Sequence, residues 1–167
     1  EFLILRNLLY NEEYVRKVIP FIKAEYFEDF NQKVVFEEIL NFVEEYNTPA
    51  TKEVLCIETE KRQDINDSSF KEITDLIGSL EDSPSELDWV VHTTEKWCRD
   101  RAIYLALMES IQLADGKDES KGRDAIPTIL SDALSVSFDT NVGHDYLSDY
   151  EERYESYHRK EDKIPFD

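Results

Sequence analysis

The chain of 167 residues carries 38 acidic and 19 basic side chains, a formal net charge of −19, with 41% hydrophobic and 34% charged residues. It is too apolar for a disordered chain and long enough to bury a core, and it has neither an apolar run near the roughly 20 residues of a membrane span nor a signal-peptide opening, so a soluble, cytoplasmic protein is expected. The acidic balance disfavours direct grip on nucleic acid, whose affinity rests on Lys and Arg, and two cysteines, Cys56 and Cys98, are too few for a disulfide framework.

Four glycines and five prolines punctuate the sequence, and no stretch alternates with the period of two that a half-buried strand shows. The fold class expected is therefore all-α: a compact multi-helix head, then a helical hairpin and a separate linker helix. Phe2, Leu5, Leu8 and Leu9 mark a first segment. Asn11 can cap a second, carrying Val15, Val18, Ile19 and Ile22, which Pro20 disturbs near its end. Phe36, Ile39, Leu40 and Val43 give a third at helical spacing. Thr51, or Thr48 with Pro49, can open a fourth with Val54 and Leu55. Ser69 and Glu72 form a capping-box pattern ahead of Ile73, Leu76, Ile77 and Leu80. These segments make the head, residues 1–82.

Ser83, Pro84 and Glu86 combine a capping box with the favoured first-turn proline, and predict the start of a long helix. Leu87, Val90, Val91, Thr94, Trp97, Cys98, Leu105, Met108 and Ile111 mark its apolar face through about Asp115, some thirty residues and roughly 45 Å. The charged, glycine-bearing stretch DGKDESKGRD (115–124) reads as a turn, and Ile126, Ile129, Leu130, Ala133 and Leu134 begin a return helix. The hairpin, residues 83–137, is longer than the head needs for its own cover. Its projecting part reads as a self-association surface, with Leu105, Met108, Ile111, Ile129 and Leu130 as candidate contacts; the alternative is a hairpin that folds back on its own head.

Residues 138–167 read as a linker. A connector precedes a helix over about 145–160 with Asp145 as its cap, and Asp149 with Arg153 and Glu155 with Arg159 supply favourable pairs four residues apart. Leu147, Tyr150, Tyr154 and Tyr157 repeat at steps of three and four. With Tyr146 and Arg153 they form a candidate docking face, because tyrosine suits a surface that buries a ring yet tolerates water.

Catalytic patterns are weak. No phosphate-binding loop or dinucleotide fingerprint occurs, so no catalytic or cofactor-binding residue is assigned and the isolated chain is not expected to be an enzyme. Glu155 and His158 match half of a carboxylate-bundle metal motif, but the remaining ligands of such a site are not spaced for it, and no metal site is assigned. His92 and His144 lack convergent partners, and Cys98 has no nearby His in sequence to activate it.

Two stretches, DSPSELDWVVHTTEKWCRDRA (82–102) and ALSVSFDTNVGHDYLSDYEERYESYHRKEDKIPF (133–166), resemble the amino-terminal domain and linker of the T-even-type bacteriophage replicative helicases, in the DnaB-like hexameric family; residues before 82 are more loosely similar. The resemblance implies a collar of dimers building a hexameric ring, and a linker helix that docks on the RecA-like motor domain of a neighbouring subunit. It implies contacts with primase and a helicase loader, and single-stranded DNA passing through the ring without being gripped by this chain. It places the phosphate loop, with its ATP and Mg, in an absent motor downstream of Phe166, and sets the protein in the cytoplasm of a phage-infected bacterium. A competing expectation is a free-standing acidic all-α protein-interaction module, complete at Asp167; a second is a metal-dependent helical enzyme.

Overall fold

The computed structural model describes residues 1–116 and 121–138. Among them are seven α-helices and no strand, so the all-α fold class holds. The helices are α1 (Phe2–Tyr10), α2 (Glu12–Val18), α3 (Phe30–Tyr46), α4 (Lys52–Glu60), α5 (Asp67–Ser79), α6 (Leu87–Ala114) and α7 (Ile126–Leu134), with short 3-10 turns at Ala24–Tyr26 and Arg123–Ala125. The expected linker helix over 145–160 lies outside the described residues.

Local chemistry accounts for most of the boundaries. Asn11 separates α1 from α2 and caps the latter, its side-chain oxygen accepting the Tyr14 amide at 3.0 Å. Asp29 does the same for α3 through the Gln32 amide at 2.9 Å. At its far end Asn47 adopts a left-handed conformation (φ 53°) and donates its backbone N–H to Val43, a residue type that tolerates this geometry at a helix terminus. Of the two threonines offered by the sequence, Thr51 opens α4, accepting from the Val54 amide.

Two expected caps are corrected. The first turn of α5 is closed by Asn66, whose side chain accepts the Ser69 amide at 2.9 Å, so Ser69 lies inside the helix rather than at its start. The long helix begins at Leu87, with Glu86 in the cap position making no side-chain cap bond, and the pattern at Ser83, Pro84 and Glu86 opens no helix. The reason is tertiary. Tyr10 donates its hydroxyl to the Leu80 carbonyl at 2.8 Å, and Arg6 donates to the Ser85 hydroxyl at 2.9 Å, which hold the connector against α1.

The core is continuous from α1 to α7. Helix α3 packs against α1, α4 and α5, while α6 packs against α2 and α7. Leu5, Leu8, Val34, Phe36, Ile39, Leu55, Ile73, Ile77 and Leu80 are fully enclosed. The first half of α6 completes this core with Val90, Thr94 and Cys98. Thr94 donates its hydroxyl to the Val90 carbonyl at 2.8 Å and lies 2.5 Å from the Tyr14 hydroxyl; with its own proton committed, Thr94 accepts and Tyr14 donates. Trp97 meets Phe27 and Tyr26 edge-on, at centroid distances of 5.1 and 6.0 Å, and Phe27 stacks on Phe36.

A candidate self-association surface on the hairpin

The second half of α6 has two apolar faces. One turns inward through Ala102, Ala106 and Leu113, with Ser110 among them satisfying its hydroxyl on the Ala106 carbonyl at 2.7 Å. Small side chains at steps of four residues let α7 approach closely. Leu105, Ile129 and Leu130 are half-buried where the two helices meet, and Ala133 is buried. Arg101 fixes the hairpin to the head, donating to the Tyr26 carbonyl at 2.7 Å and pairing with Glu28.

The other face consists of Tyr104, Leu107, Met108 and Ile111, the i, i+3, i+4, i+7 set of one helical stripe. It is 51%, 47%, 42% and 55% exposed respectively, and at 3.6 residues per turn it lies opposite Ala102, Ala106 and Leu113. Leu134 of α7 is also exposed. The Arg101 guanidinium lies 5.0 Å from the Tyr104 ring centre, so the outermost aromatic of the stripe is steadied by the residue that anchors the hairpin. Near the turn, Lys121 pairs with Glu109 at 2.7 Å. These two, with Lys23, Glu25 and Asp132, rim a groove of about 240 Å³ between α6, α7 and the turn at Ala24–Tyr26.

Of the five hairpin contacts named from sequence, Met108 and Ile111 lie on the exposed stripe. Leu105, Ile129 and Leu130 are engaged within the chain, beneath it. Tyr104 and Leu107 complete the stripe, and the i, i+3, i+4, i+7 spacing that contains them is visible in the sequence. The docking-face residues Tyr146, Leu147, Tyr150, Arg153, Tyr154 and Tyr157 lie outside the described residues.

Among the described residues no three His, Cys, Asp or Glu side chains converge to hold a metal. Burial, reinforced by the nearby Glu95 carboxylate, pushes the Cys98 thiol up to about 12, which keeps it protonated and unreactive near neutrality. Cys56, half-buried, is also raised, chiefly by burial. No described helix is long and apolar enough to cross a membrane.

No family model matches the chain. It is similar to a DnaB-like replicative helicase of Enterobacteria phage T4, with 35% identity over 172 aligned residues. The alignment covers 98% of this chain, including its less specific first half, and the chain spans about a third (36%) of the length of that relative.

Proposed function

We propose that this chain is the amino-terminal collar and linker of a ring-shaped replicative DNA helicase, with residues 1–82 as head, 83–137 as the pairing hairpin and 138–167 as the linker to a RecA-like motor. The similarity to the phage T4 helicase over nearly the whole chain supports the helicase reading. The observation that carries the collar role is the exposed stripe Tyr104–Leu107–Met108–Ile111 on the helix that leaves the head. Four apolar side chains in one row, backed by a packed hairpin, suit burial against a rigid partner.

The partner is a second copy. An antiparallel two-fold pairing of α6 sets Tyr104 against Ile111 and Leu107 against Met108 of the other copy, so the stripe is complementary to itself, as an isologous contact requires. Leu105, Ile129 and Leu130 support this surface from below. Such dimers build the hexameric ring, the docking face at 146–157 ties each subunit to its neighbour's motor, and primase and loader are received on the assembled collar. ATP and Mg act in the motor of the parent polypeptide, in the cytoplasm of an infected bacterium. Single-stranded DNA passes through the ring without being held by this acidic chain.

Sedimentation of the 167-residue chain tests the pairing. Dimers or larger species are expected, and Leu107→Asp with Ile111→Asp should give monomers of unchanged helicity, since losing a central apolar anchor costs about 2 kcal/mol or more per interface. Ile129→Asp should instead destabilise the fold, because it places a charge at the α6–α7 contact. A chain that stays monomeric at several hundred micromolar would overturn the pairing.

A further inference from the structure

Helix α7 ends at Leu134, yet the chain is not released there. Four contacts hold the next residues on elements distant in sequence. The Val136 carbonyl accepts from Arg99 Nε at 3.0 Å, and the Ser137 hydroxyl and the Phe138 amide both donate to Glu95 Oε1, at 3.1 and 3.2 Å. The Phe138 ring stacks on Phe21, with centroids 4.7 Å apart and planes 20° from parallel. Arg99 also reaches Glu95 Oε1 at 3.2 Å, so the carboxylate that receives the departing backbone is itself oriented by the neighbouring turn of α6.

A helix end followed by surface loop has no need of a stacked aromatic pair or of a carboxylate bonded to three groups. We infer that residues 136–138 form an exit clasp, a latch on α6 and on the segment after α2 that sets the point from which the following segment departs. The anchored part of the chain therefore extends through Phe138 and does not stop at the end of α7. The clasp is also releasable. Its parts are few and none is fully buried, the pattern of a segment that opens locally while the core stays closed. Opening it frees three residues, roughly 10 Å when extended. The latch stands independently of the helicase reading.

Hydrogen exchange at the Phe138 amide of the 167-residue chain reads the latch directly, in the monomeric Leu107→Asp/Ile111→Asp background as well as the unmodified chain, so that loss of self-association and loss of the clasp are separable. Protection of at least about tenfold over the free-chain rate is expected, abolished by Phe21→Ala and by Glu95→Ala while the amides of α3 and α5 keep theirs. Should Phe21→Ala fail to fold, Glu95→Ala, a change at a half-buried position outside the enclosed core, gives the same reading. An unprotected Phe138 amide in the unmodified chain, or protection that survives Glu95→Ala, would overturn the inference.

Discussion

Tyr14 illustrates how single residues tie this fold to proton binding. Its ring is wholly enclosed, and burial raises its hydroxyl, which bonds Thr94 of α6, well above the ordinary value of 10.0. One helical turn further along α6, Cys98 is pushed up to about 12. Both groups stay protonated in the folded state at pH values where the unfolded chain releases the proton. Their contribution is therefore complete below about pH 9 and is lost progressively as pH rises toward 12. Urea midpoints should be level from pH 7 to 8.5 and fall above pH 9, with a shallower fall in Cys98→Ala. A midpoint unchanged up to pH 11 would contradict the burial of these two groups.

At the scale of elements, the corrected cap of α5 gives a clean contrast. Asn66→Ala removes the acceptor of the Ser69 amide and should cost about 1 kcal/mol, whereas Ser69→Ala, inside the first turn, should change stability by only a few tenths. Chemical denaturation of the two variants separates them, and equal losses would restore the capping-box reading. Helix existence was legible for α1 to α7 because apolar residues recur at helical steps throughout. The two caps were not, since a local pattern competes with long-range bonds, such as Arg6 to Ser85, that no spacing reveals. Helix α6 shows a different limit. Between Cys98 and Leu113 its inward face is built of the small side chains Ala102, Ala106 and Ser110, which give a weak apolar signal, so the sequence reading merges Leu105 of the covered side with Met108 and Ile111 of the open one. Only the position of α7 shows which apolar face is covered.

For the whole molecule, charge opposes the proposed pairing. Two copies, each with a formal charge of −19, repel at the distances a dimer requires, and an apolar contact must overcome that repulsion. Salt screens charges over about 10 Å at 0.1 M, so association through the stripe should tighten between 0.05 and 0.5 M NaCl. Equilibrium sedimentation at the two salt concentrations measures this, and weaker association at high salt would indicate an interface held by ion pairs instead.

Helix α6 is gripped at one end and presents its contact surface at the other. The seventeen residue steps from Thr94 to Ile111 span roughly 25 Å, so turning the helix by about 10° around its gripped half carries Ile111 sideways by roughly 4 Å. The Tyr14–Thr94 contact acts as a fulcrum and the stripe as the far end of the arm. In the proposed pairing, repacking too slight to disturb the head would thus alter the angle at which two copies meet, and repetition around the proposed ring would compound that angle. Substitutions beside the fulcrum, far from any surface residue, would then change the width of that assembly.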